Sequence, residues 1–259
     1  MASETPTGPQ GNAGPPQVSL TPSGGLTRKR QVWGRSESAS RRQQPSAARR
    51  PAAAGTRWVV PAKIIVFVAA WYPLARIVLF GLTDRLGANP IEFITRSTGL
   101  WTLVFLCITL AVTPLRRLTG VSALARFRRM LGLYAFFYAT LHFTTYVWFD
   151  KWFDVAAILK DIGKRPFIMV GFAAFVLLIA LAATSPRAMV RKLGRRWQIL
   201  HRAIYAIGVL AILHFWWMKS GKHDLLLPKI YGAIMVALLG WRLLAWLRER
   251  MAVSAAKKR

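Results

Sequence analysis

The sequence predicts an all-α integral membrane protein: a bundle of six transmembrane helices, N-in and C-in, behind a disordered basic N-terminal tail. Three observations carry that expectation. Six apolar runs of near-spanning length follow one another from Trp58 onward, and alternate breaks between them hold only basic charges. Mean hydropathy is +0.33 even though the polar tail is included in it. A chain that is 54% hydrophobic and yet carries 37 Lys and Arg against 9 Asp and Glu must segregate the two characters along its length. An ordinary soluble enzyme domain is thereby excluded.

Residues 1–57 hold nine basic residues against Glu4 and Glu37 and almost no bulky apolar side chain, too little to bury a core. The expectation is a solvated cytoplasmic extension. Its acid-poor composition imitates a transit peptide, and Arg41-Arg42 or Arg49-Arg50 imitates a twin-arginine signal. However, the small residues Ala52–Ala54 precede the first apolar run, whereas a cleavage site would follow it. The runs themselves are 58–82, 97–113, 130–149, 166–184, 197–217 and 225–247. A helix of about 20 residues crosses a hydrocarbon core of ~30 Å, so each run is read as one span of a domain covering 58–247.

Charge sets the orientation. The 114–129 break holds Arg116, Arg117, Arg126, Arg128 and Arg129 without an acid, and the 185–196 break holds Arg187, Arg191, Lys192, Arg195 and Arg196 without one. The other breaks carry Asp84, Glu92, Asp150, Asp154, Asp161 and Asp224. The positive-inside rule then puts the two basic breaks, both termini and a basic C-terminal tail (248–259) in the cytoplasm. Topology accounts for the net charge of +28 without nucleic acid as a partner. Trp58, Trp101, Trp148, Trp197, Trp216, Trp217 and Trp246, near run ends, suit interfacial belts.

Chemistry has few places to reside. A lone cysteine, Cys107, excludes a disulfide framework and a cysteine-ligated iron–sulfur cluster within the chain. Three of the four histidines lie in spans: His142 in the third, His201 and His214 in the fifth. Ionisable residues there are functional candidates by default. By helical rise His142 lies about 18 Å from the cytoplasmic end of its span, His214 about 25 Å and His201 about 6 Å. His201 and His214, about 20 Å apart along one helix, cannot converge on one ion, whereas His142 and His214 match in depth. A b-type heme held by those two imidazoles fits, since its iron takes axial ligands on both faces. Tyr134, Tyr138, His142 and Tyr146 recur on one face, either as a wall for the macrocycle or as plain aromatic packing. Gly132, Gly171 and Gly208 allow close approach of a heme or of another helix.

His201 has no histidine partner at its depth, which leaves a non-histidine sixth ligand, another cofactor or quinone, or a proton relay. His223 falls in an outer loop and reads as a surface histidine. Arg76 suits a heme propionate or flavin phosphate, or else snorkels to the interface, as Arg202 and Arg242 are placed to do. The chain holds no GxGxxG fingerprint, no P-loop and no acid within a span, so no nicotinamide module and no acid-based pump are expected.

Thr113-Pro114-Leu115-Arg116, Arg129-Met130-Leu131-Gly132-Leu133 leading to Leu141-His142, and Leu193-Gly194-Arg195-Arg196-Trp197-Gln198-Ile199-Leu200-His201 followed by His214 carry a resemblance. Over residues 58–247 the chain resembles the heme-binding membrane subunit of the periplasmic protein-methionine-sulfoxide reductase system, the MsrQ family of the ferric-reductase-like transmembrane group. The resemblance implies a multi-pass protein of the bacterial inner membrane with heme b and bound FMN. Such a subunit passes electrons from the respiratory quinone pool to a periplasmic molybdopterin-containing methionine-sulfoxide reductase, as a heterodimer, for repair of oxidised proteins. It maps heme-linked positions onto His142, His214 and His201, the first two as axial iron ligands and His201 as a possible one. It assigns no flavin or quinone residue. A transmembrane metal reductase fed by a separate flavoprotein, and a cofactor-free scaffold or transporter, are the competing expectations.

Overall fold

The computed structural model describes residues 57–221 and 224–257. The expectations for the tail up to residue 56 and for His223 lie outside the described residues. Among the described residues every regular element is helical.

The first apolar run forms two helices in line, α1 (Val59–Ala69) and α2 (Tyr72–Leu82). Pro73 explains the break, because it has no N–H for the carbonyl four residues back and its ring clashes there. At the break Trp71 N–H donates to Val68 instead of Phe67. Tyr134 O–H takes up the Phe67 carbonyl at 3.1 Å, and Tyr138 O–H donates to the Ala70 carbonyl at 2.7 Å.

Helix α3 (Pro90–Thr119) is longer than its apolar run. Asn89 starts it, accepting from the Glu92 N–H, with Pro90 pre-set for the first turn. Gly120, at φ +70°, ends it. Pro114 lies inside and leaves the Leu110 carbonyl without its helical donor. The Arg242 guanidinium fills that vacancy, with an Nη at 2.8 Å from the Leu110 oxygen.

A 3-10 turn (Ser122–Phe127) leads into α4 (Arg128–Thr145), which continues as a π-helical segment, Tyr146–Asp150. Here hydropathy and structure part. Among the described residues, five helical stretches are long and apolar enough to cross a membrane: Val59–Leu82, Pro90–Thr119, Pro166–Ala183, Arg195–Ser220 and Leu226–Ala256. The expected third span is missing from that set because α4 opens on Arg128 and Arg129 and because Tyr134, Tyr138, Thr140, His142, Thr144 and Thr145 further dilute its apolar character. Most of these polar groups turn toward protein: Tyr138 is 0% exposed, Tyr134 and Thr145 are buried, and Thr144 alone is exposed.

The break read as an outer loop contains α5 (Val155–Lys164), capped by Asp154, whose carboxylate accepts from Ala157 N–H. Then come α6 (Pro166–Ala183), α7 (Arg187–Leu193), α8 (Arg195–His201), α9 (Ala203–Ser220) and α10 (Leu226–Lys257). Helix α10 runs on through most of the segment that the sequence set apart as a tail.

Two apolar clusters hold the bundle. One joins α1, α3 and α4 through Phe105, Phe127, Tyr134 and Tyr138. The other joins α3, α4, α6, α9 and α10 through Leu106, Leu110, Leu178, Ile207 and Met235. The pairs α3–α4 and α6–α9 are the most closely packed. They also correspond in sequence at one constant offset: Gly99 with Gly171, Thr113-Pro114 with Ser185-Pro186, and Leu141-His142-Phe143 with Leu213-His214-Phe215.

Candidate functional site

The corresponding helix pairs each present one histidine to a shared cavity of about 810 Å³, within the range of cofactor-sized pockets (about 300–1,000 Å³). His142 Nδ1 donates to the Thr95 carbonyl at 2.9 Å, and His214 Nδ1 donates to the Phe167 carbonyl at 2.7 Å. Each carbonyl stands one helical turn before a glycine, Gly99 or Gly171, and the imidazole packs against that glycine. A Cβ on Gly99 would come within 3.0 Å of His142, and one on Gly171 within 2.6 Å of His214 Nδ1. Glycine is required at both places by this close approach, not by backbone conformation.

A backbone carbonyl only accepts, so both protons sit on Nδ1 and both Nε2 lone pairs remain free to bind a metal. The ring centroids are 6.1 Å apart. Two imidazole nitrogens each about 2 Å from one metal ion place their ring centroids about 6 Å apart. The pair therefore fits a bis-imidazole iron with the second partners of both ligands already in place. Among the described residues no cluster of three or more His, Cys, Asp or Glu gathers for a metal, which leaves the histidine pair as the candidate.

The inner walls are apolar: Leu103, Leu106, Phe143, Phe172, Phe175 and Leu178. At the mouth the lining turns charged, with Arg96, Arg165 and Lys219 beside Glu92 and Asp150. Lys219, 7% exposed, pairs with Asp224 and holds that carboxyl below the ordinary carboxylate range, chiefly by hydrogen bonding. Helix α5 is fastened across the mouth through Asp161. Its carboxylate receives Lys151 Nζ at 2.6 Å, Tyr146 O–H at 3.3 Å and the Arg165 guanidinium at 3.6 Å. The Lys151 hydrogen bond is the main reason the Asp161 carboxyl titrates below its usual range.

The structure sorts the other sequence candidates. His201 stays apart from the pair: its Nε2 meets Thr184 Oγ1 at 3.1 Å and its ring stacks on Trp197 at 4.0 Å, at the α8–α9 break. Tyr134 and Tyr138 bind the α1–α2 break, so that part of the tyrosine stripe is packing, while Tyr146 reaches the mouth. Gly171 meets a histidine, Gly208 lets α9 approach Met235 of α10, and Gly132 makes only an ordinary contact with Thr109. Arg76 lies over the rings of Phe80 and Phe93, away from the cavity. Sequence reasoning did not single out Gly99, the two carbonyls or the mouth cations. The constant offset between the Leu-His-Phe triplets is the signal that leads to Gly99 from Gly171.

The family described as "Ferric reductase like transmembrane component" matches residues 97–212, from the start of the α3 wall to the middle of α9. A protein-methionine-sulfoxide reductase heme-binding subunit MsrQ of Bordetella parapertussis is 61% identical over 188 residues, covering 73% of this chain and 91% of the relative. The protein of the same name from Herminiimonas arsenicoxydans is 64% identical over 178 residues (68% and 82%). That from Polaromonas naphthalenivorans is 52% identical over 202 residues (76% and 92%). No solved structure shows a significant match.

Proposed function

Because the chain belongs to the MsrQ family of protein-methionine-sulfoxide reductase heme-binding subunits, we propose that it is the electron-transfer subunit of such a system in the bacterial inner membrane. In this reading it holds heme b between His142 and His214, takes electrons from the respiratory quinone pool, and passes them to a periplasmic molybdopterin-containing methionine-sulfoxide reductase, its heterodimer partner. The observation that carries the reading is the pair of Nδ1-anchored imidazoles with centroids 6.1 Å apart.

A heme bound there supplies one-electron redox chemistry. The residues of the chain do the rest. His142 and His214 present Nε2 from two different helix pairs, and the Thr95 and Phe167 carbonyls fix their tautomer and orientation. The phenylalanines and leucines of the wall keep water from the ligand atoms. Arg96, Arg165 and Lys219, each already beside an acid (Glu92, Asp161 and Asp224), line the mouth and would be the cations available to a carboxylate of the bound cofactor.

The six-span, N-in and C-in topology belongs to the same proposal, with α4 as the third span. It sets the all-basic breaks inside and the cavity mouth, with α5, outside toward the partner. His201, on the cytoplasmic side of that frame with Thr184 and Trp197, is assigned to electron entry from quinol, as a relay or a further ligand. FMN enters from the family resemblance alone, and no residue is assigned to it.

The test is a liposome experiment. Protein reduced by quinol is mixed with the periplasmic reductase and methionine sulfoxide, and heme absorbance is followed. Reoxidation that needs both additions supports the proposal. Heme that stays reduced under those conditions, yet is oxidised quickly by ferric chelates, overturns it in favour of a metal reductase.

A further inference from the structure

At the end of the bundle opposite the cavity mouth, two guanidinium groups converge on one neutral oxygen. Arg242 of α10 donates to Thr113 Oγ1 at 2.9 Å, and Arg128 at the start of α4 donates to the same hydroxyl. Arg242 also donates to Tyr205 O–H at 2.7 Å and, as described, to the carbonyl orphaned by Pro114. These acceptors satisfy geometry without offsetting charge. Among the described residues neither arginine forms an ion pair, and Arg242 Nε is buried without any acceptor. Two like charges brought together near a low-dielectric region call for a counter-charge, and none of the described residues provides it.

Position and surroundings identify the missing anion. Arg242 lies about 24 Å along α10 from Leu226 at ~1.5 Å per residue, near the far edge of a ~30 Å hydrocarbon core. From there a side chain as long as arginine reaches the headgroups. One turn from Tyr205 on α9, Val209 is 47% exposed, and one turn from Arg242 on α10, Trp246 is 46% exposed. Val209, on the membrane side of Tyr205, would meet an acyl chain, and Trp246, on the other side of Arg242 with Arg250 over its ring, suits the headgroup layer; a small soluble anion would use neither. We propose that Arg128 and Arg242, around Thr113 and Tyr205, bind the phosphate of an acidic phospholipid. Arg128, exposed and with donors beyond the one given to Thr113, would meet the phosphate oxygens directly, and Arg242, whose Nη groups are largely taken up by Tyr205, Leu110 and Thr113, adds its charge beside it.

The full-length protein is reconstituted in nanodiscs of phosphatidylcholine with phosphatidylglycerol, and co-purifying lipid is counted by native mass spectrometry. The wild type is expected to retain phosphatidylglycerol preferentially. Arg128→Gln and Arg242→Gln should each reduce that preference about fivefold. Arg117→Gln, which removes an arginine of the same region already paired with Glu249, should leave it unchanged. Because Arg242 also supports the α3 backbone, Arg128→Gln, at an exposed position, decides the matter if the other variant does not fold. Undiminished preference in Arg128→Gln overturns the proposal, as does displacement of the lipid by millimolar inorganic phosphate, which would make the ligand a soluble anion.

Discussion

Replacing Gly171 by alanine tests the cavity at its tightest contact. The new Cβ would stand 2.6 Å from His214 Nδ1, against 3.4 Å for ordinary contact, so the ring must retreat by about 0.8 Å. Helix α6 cannot yield instead, because the added atom is fixed to its backbone. A retreat of that size lengthens the Nδ1–H bond to Phe167 from 2.7 Å toward an upper limit of about 3.5 Å, beyond the usual hydrogen-bond range. The ligand then loses both its position and the partner that fixes its tautomer, a change worth about 10- to 100-fold in affinity for the bound metal. Gly99→Ala is milder, since its Cβ at 3.0 Å asks for about half the displacement. Gly240→Ala, with nothing within 4 Å, is the control and should be neutral or stabilising by up to ~1 kcal/mol. The assay is heme per polypeptide, by pyridine hemochrome, on the three variants purified in one detergent. Heme loss should rank Gly171→Ala, then Gly99→Ala, with Gly240→Ala at the wild-type level. Wild-type heme content and spectrum in Gly171→Ala, or equal loss in the control, would refute the argument.

His142→Ala and His214→Ala should each abolish the low-spin heme spectrum, whereas His201→Ala should keep it and slow reduction by quinol; a wild-type spectrum in both of the first two variants refutes the assignment. A topology reporter after Ala157 should read as periplasmic and one after Arg191 as cytoplasmic, and reversal at both sites overturns the orientation. The Asp161 fastening of α5 should depend on pH in one direction only. Because its folded carboxyl titrates below the ordinary value, the contribution is complete above about pH 4 and is lost as pH falls through the depressed value. Amide protection in α5, corrected for intrinsic exchange, should drop only on the acid side, and Asp161→Asn should remove that step. A step that persists in the variant would exclude Asp161 as its origin.

Much of the fold was legible because a bilayer leaves length and polarity as dominant signals. The apolar runs and the acid-free breaks mark where helices lie, and depth arithmetic singles out His142 and His214 as partners. What escaped has specific causes. The α1–α2 break depends on Pro73, which hydropathy reads as merely neutral. Helix α3 passes through Pro114 because Arg242, distant in sequence, supplies the missing donor, so a local reading ends the helix too early. Helix α5 lies in a polar break because its amphipathic face is short. Gly99 is indistinguishable from other helical glycines until the imidazole packed on it is seen, or until the two halves of the sequence are laid over one another.

The low hydropathy of α4 also bears on how the protein is made. A segment that opens on two arginines and carries Tyr134, Tyr138 and His142 toward its neighbours partitions poorly into lipid by itself, since the insertion machinery weighs each segment by its own composition. Yet α1 and α3, which receive Tyr134, Tyr138 and His142, are synthesised before it. Helix α4 should therefore enter the bilayer as the second arm of a hairpin with α3, its hydroxyls and imidazole already satisfied. Fused alone to an insertion reporter it should remain largely outside, and fused together with α3 it should cross. The second histidine-bearing arm, α9, is apolar enough to enter unaided. The two halves of the cavity thus differ in biogenesis, although they match in sequence.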